Sequence, residues 1–140
     1  MKFTTSTDAD MEVFLSLVGE HLGSIGAAGI IDLYTDEPIE SPEPQQAFLE
    51  MRQETESQHP GRGDHLMGAP LDFASPTGLR RFTLLAHRTI GCEAYAGGNL
   101  VFTSIENQRI VWLDISSADA ASLEEAAVAA GARSLRCLPG

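Results

Sequence analysis

Two apolar runs decide the fold of this chain: Leu100-Val101-Phe102-Thr103-Ser104-Ile105 and Ile110-Val111-Trp112-Leu113-Asp114-Ile115, separated by the polar break Glu106-Asn107-Gln108-Arg109. Both runs are rich in β-branched and aromatic residues, each is the length of one strand, and a short polar segment between two such runs signals a β-hairpin. In the second run Ile110 and Trp112 point to one face of a strand while Val111, Leu113 and Ile115 point to the other. Both faces are then apolar, so the hairpin is expected in the middle of a sheet, with Trp112 buried beneath a helix.

Working outward toward the C-terminus, Ser116 and Ser117 lead into Asp119–Ala130, an alanine-rich stretch closed by Gly131. Alanine is the best helix former, and glycine sits where a left-handed cap is wanted. Ser134–Leu138 reads as a last strand, so residues 110–138 form a β-α-β unit with a right-handed crossover.

Toward the N-terminus, Phe82, Leu84 and Ala86 alternate with Arg81, Thr83, Leu85 and His87, which reads as a strand over Leu79–Thr89. Gly91, Gly97 and Gly98 bracket a short bulged strand, or a turn into the hairpin. Gln58–Pro76 shows no sustained periodicity and reads as a long loop, with Leu71-Asp72-Phe73 as a short strand inside it. Pro42–Glu56 reads as a surface helix opened by Ser41 and Pro42, and Ile30–Tyr34 as a short strand. The first helix is capped by Thr7, with Asp10 closing a capping box. It carries the stripe Met11, Phe14, Leu15, Val18, Leu22 and Ile25. The expected fold is α+β: a mixed central sheet of about five strands with two or three packed helices, including the C-terminal β-α-β unit. At 140 residues, 43% of them hydrophobic, the chain is expected to form a single globular domain over 1–140.

The net charge of −11 is unevenly placed. Residues 1–57 hold two cations, Lys2 and Arg52, against twelve carboxylates, whereas residues 58–140 hold seven arginines against eight carboxylates. An acidic half repels nucleic acid and anionic lipid and favours a cationic partner, although acidity also serves solubility. No apolar run approaches the ~20 residues that span a bilayer, and the first residues lack the apolar core of a signal peptide, so a cytoplasmic location is expected. Cys92 and Cys137 do not make a disulfide framework.

Few residue groups suggest chemistry. His59, Asp64 and His65 share a glycine-rich loop but match no metal-ligand spacing, so no metal is expected there. Cys92 and His87 are five residues apart, roughly 16 Å along an extended chain, too far for a nucleophile and its base without a sharp turn at Gly91. Cys92 is expected to be a buried thiol. Arg80, Arg81 and Arg88 are expected to pair with the protein's own carboxylates. Gly23-Ser24-Ile25-Gly26-Ala27-Ala28-Gly29 follows a helix and enters a strand, the reverse of a dinucleotide-binding turn. No hydrolase, zinc or RNA-binding motif occurs, and no cofactor is expected.

The function these features favour is that of a non-enzymatic, acidic protein-binding domain. It would act on a basic partner, as an immunity protein that neutralises a toxin does, or a secretion chaperone. The resemblance to such proteins lies in size and acidity only. The expected contact residues are Asp32, Asp36, Glu37, Glu40 and Glu43. Two alternatives stand beside it: a small enzyme or ligand-binding domain using the loop from His59 to His65, and a self-associating subunit, such as a homodimer, whose two-faced hairpin is completed by a second copy.

Overall fold

The computed structural model describes residues 1–33, 39–58, 67–86, 89–105 and 109–138. The elements run β1 (Lys2–Thr4), α1 (Asp8–Ser24), β2 (Ala28–Leu33), α2 (Pro42–Gln58), β3 (Ala69–Asp72), α3 (Pro76–Leu85), β4 (Thr89–Ala96), β5 (Asn99–Ile105), β6 (Ile110–Leu113), α4 (Ser117–Ala129) and β7 (Arg136–Leu138). The fold is α+β. Its sheet is larger than the sequence suggests: seven strands in the order β3-β2-β4-β5-β6-β1-β7, with every neighbouring pair antiparallel rather than mixed.

The hairpin of β5 and β6 forms as expected, pairing Phe102 with Leu113, Thr103 with Trp112 and Ser104 with Val111. It lies near the centre of the sheet, with β5 the fourth strand of seven. The 92–96 segment is part of a full strand, β4; the bulge lies on its partner β5, where Val101 is the extra residue between the pairs Ala94–Phe102 and Tyr95–Leu100. β4 turns into β5 through Gly97 (φ 57°) and Gly98 (φ 81°), two successive left-handed residues of the kind a tight hairpin turn requires. The C-terminal β-α-β unit is present as β6-α4-β7. β1 is inserted between its two strands and runs antiparallel to both.

The strand expected over Leu79–Thr89 is overturned: residues 76–85 form a helix, α3. Ser75 caps α3 by accepting the Gly78 N–H at 2.9 Å, and Pro76 occupies the first turn, where its missing N–H costs nothing. Leu79, Phe82 and Leu85 recur every three residues, and Phe82 and Leu85 are fully buried. A Cβ on Gly78 would collide with the Asp72 carbonyl oxygen, so the glycine lets α3 start hard against the end of β3.

Of the remaining helices, α1 and α2 start where the sequence places them, and α4 starts two residues earlier than Asp119, at Ser117. Thr7 Oγ1 accepts the Asp10 N–H at 3.1 Å. The Asp10 carboxylate does not close a capping box; it accepts the Ser134 N–H at 3.0 Å and the Ser134 hydroxyl, tying the start of α1 to the approach of β7. Ser116 caps α4, whose Ala120 and Ala127 are buried. The small side chains let that helix sit close to its neighbours.

The core lies on one face of the sheet. Phe3, Ile31, Ala94, Phe102, Val111 and Leu113 meet Phe14, Leu15, Val18 and Leu22 of α1, Phe48 and Met51 of α2, and Phe82 of α3. Aromatic contacts stitch the layers together, with ring centroids 4.9 Å apart for Phe3–Phe14 and 5.6 Å for Phe82–Phe102. No described helix is long and apolar enough to cross a membrane.

Candidate functional site

With the core on one face, strand alternation sends the intervening side chains to the other, which no described helix covers. The register defines a row across all seven strands of that face: Pro70, Ile30, Glu93, Thr103, Trp112, Lys2 and Leu138. Flanking it on one side are Asp32 opposite Gly91, and Ile110 opposite Thr4 and then Arg136. On the other side Asp72 lies opposite Ala28, and Ala28 opposite Tyr95. Large apolar groups stand open here: Ile30 is 40% exposed, Tyr95 41% and Ile110 38%.

Trp112 is on this face and only half-buried, which corrects the expectation of a core tryptophan. Both faces of β6 are apolar in sequence, but only Val111 and Leu113 face the helices, at 2% and 0% exposure. The other pair, Ile110 and Trp112, is left for whatever meets the open face.

A shallow groove of about 210 Å³ lies over Gly91, lined by Ile30, Asp32, Glu93 and Thr103 among others. Gly91 makes the groove by lacking a side chain. A Cβ there would meet only the Ser104 carbonyl oxygen, at an ordinary 3.5 Å. Asp32 accepts the Gly68 N–H through one carboxylate oxygen, which fixes its side chain against the turn before β3. Glu93 accepts the Tyr95 hydroxyl at 2.6 Å, and that hydrogen bond raises the phenol pKa and keeps it a donor.

The other sequence candidates lie elsewhere. Cys92 is 2% exposed, and burial pushes its thiol up to about 12, so it is a protonated core group rather than a nucleophile. Its proposed partner His87 lies outside the described residues, as do Arg88, His59, Asp64 and His65. Among the described residues no three His, Cys, Asp or Glu groups converge as a metal site. Arg81 does pair with the acidic half. Its guanidinium donates two hydrogen bonds of 2.7 Å to Glu54 and lies 3.8 Å from Glu50, joining α3 to α2. Arg80 is exposed.

The five acidic contact candidates do not share one element. Asp32 belongs to the open face. Glu43 is exposed on α2, in the helical layer, and Glu40 is exposed just before it. Asp36 and Glu37 lie outside the described residues. Sequence reading missed Ile30, Glu93, Tyr95, Lys2 and Arg136. Their signal was alternation: in Ile30-Ile31-Asp32 and Glu93-Ala94-Tyr95 the outer residues share a face and the middle one enters the core.

No protein-family model matches the chain, and the comparisons with curated proteins and with solved structures return no match.

Proposed function

We propose that this chain is a non-enzymatic protein-binding domain whose partner docks on the open face of the sheet, with a cationic group set against Asp32 and Glu93. The observation that carries the reading is the cross-strand row through Ile30, Glu93, Thr103 and Trp112, where large apolar and charged side chains lie together with no described helix over them. Contiguous exposed apolar surface rimmed by polar groups marks interaction sites, and Tyr and Trp are enriched in the centres of protein interfaces. The groove, at about 210 Å³, is smaller than the roughly 300 Å³ at which small-molecule pockets begin. It suits one side chain of a docked protein better than an enclosed substrate. Asp32 and Glu93 lend that side chain a preference for positive charge. A basic protein, of the sort an immunity protein or a secretion chaperone sequesters, is the class that composition favours.

Affinity capture from the producing cells, run in parallel with three baits, tests this. A partner held by the wild-type chain should be retained by a Glu40→Lys/Glu43→Lys bait and lost by an Asp32→Lys/Glu93→Lys bait that keeps its circular dichroism. The opposite pattern, loss through α2 and retention through the sheet, would move the site to the helical layer and sink the proposal.

A further inference from the structure

The charges that the strands themselves place on the open face are sorted, with Asp114 just past the end of β6 outside the pattern. The carboxylates Asp72, Asp32 and Glu93 stand on β3, β2 and β4, on one side of the central strand β5, and the cations Lys2 and Arg136 stand on β1 and β7, on the other. Between them lie the apolar groups of the face, Trp112 and Ile110 toward the basic edge and Ile30 and Tyr95 toward the acidic one. Among the described residues, none of Asp32, Glu93, Lys2 and Arg136 has an ion-pair partner within its own chain.

We infer that the occupant of this face is a second copy of this chain, packed sheet on sheet about a twofold axis that runs along β5 in the plane between the two sheets. This rests on the reading of the open face as a docking surface; the cationic group set against Asp32 and Glu93 then comes from the Lys2 and Arg136 edge of a second copy rather than from a separate basic protein. Rotation about that axis exchanges the two sides of the sheet, so β1 and β7 of one copy lie over β2 and β3 of the other. Lys2 and Arg136 then meet Asp32, Glu93 and Asp72 twice, once at each edge, as a self-complementary isologous interface requires. Trp112 and Ile110 close over the groove at Gly91 and over Tyr95. A twofold axis perpendicular to the strands would set the acidic edge on the acidic edge, which like-charge repulsion disfavours.

Aligned packing at about −30°, set by the twist of each sheet, is the ordinary way two antiparallel sheets meet. A seven-stranded face with strands about 4.8 Å apart and about five residues long on average covers on the order of 550 Å². Two such faces bury about 1,100 Å², the size class of weak, reversible association rather than of obligate dimers.

Sedimentation from low micromolar to several hundred micromolar protein should show a monomer–dimer equilibrium. Emission from Trp112, the only tryptophan, should shift blue along the same concentration curve. The Asp32→Lys/Glu93→Lys variant has a wholly positive face at these positions and the Lys2→Glu/Arg136→Glu variant a wholly negative one. Each should weaken its own dimer by more than about tenfold, and mixing the two in equal amounts should restore a heterodimer. That restoration also shows that both variants are folded. A wild-type chain that stays monomeric throughout, variants that dimerise as well as wild type, or a mixture that stays monomeric would each overturn the second copy as occupant. The docking reading survives that failure if the Asp32→Lys/Glu93→Lys bait still loses a captured partner, and falls with it if capture is unchanged.

Discussion

Trp112 and Phe102 are both large aromatic residues on the central hairpin, yet the fold treats them oppositely. Phe102 is 0% exposed and meets Phe82 edge-on, whereas Trp112, one strand over on the other face, is half-buried. Truncating a packed aromatic core residue removes its transfer energy and leaves a cavity, so Phe102→Ala should cost about 3–5 kcal/mol in urea denaturation. Trp112→Ala should cost about 1 kcal/mol or less at concentrations where the chain is monomeric, since little packing is lost. A Trp112→Ala cost as large as that of Phe102→Ala would mean that something buries the open face within the monomer. Sequence could not separate the two residues. Ile110, Val111, Trp112 and Leu113 are all apolar, so alternation identifies two faces without saying which one the helices take.

At the scale of elements, α3 shows where the signals compete. Phe82, Leu84 and Ala86 satisfy a period of two, while Leu79, Phe82 and Leu85 satisfy the helical spacing equally well over so short a span. The start signal Ser75-Pro76 decides it, because a side-chain cap followed by proline suits a helix N-terminus and removes a donor a strand would need. The helical answer also places Arg81 against α2, where its hydrogen bonds to Glu54 lower the pKa of that carboxyl below the ordinary 4.5. A carboxyl whose folded pKa is depressed stabilises the fold above its unfolded pKa, and that contribution is lost as pH falls through the folded value. Stability measured by urea titration should therefore fall between about pH 5 and pH 3 by more in wild type than in Glu54→Gln. Glu54 is half-exposed, so the difference should be about 1 kcal/mol or less. Equal acid sensitivity in the two proteins would show that the α2–α3 pair contributes nothing.

Across the whole molecule, the acidic half of the sequence is not a half of the fold. Residues 1–57 supply β1 and β2, which lie on opposite sides of β5, so the charge asymmetry seen along the chain is redistributed by the sheet order. That order was not legible, because β1 is three residues long and enters between β6 and β7, more than 100 positions away, with no local pattern to announce it. The hairpin and α1, α2 and α4 were legible because their signals are local. The consequence is mechanical: β7 reaches the sheet only through β1, since it pairs with β1 and with no other strand. Phe3, 0% exposed and packed against the tilted ring of Phe14, anchors that short strand. Phe3→Ala should cost about 3–5 kcal/mol, and its effect should be regional before it is global. In native-state hydrogen exchange the amides of β7 and of β1 should lose protection first, at denaturant concentrations where β4 and β5 are still protected, because the central strands keep two neighbours each. If β4 and β5 lose protection together with β7 at every denaturant concentration, the sheet opens as one unit and β1 is not the joint on which its C-terminal edge depends.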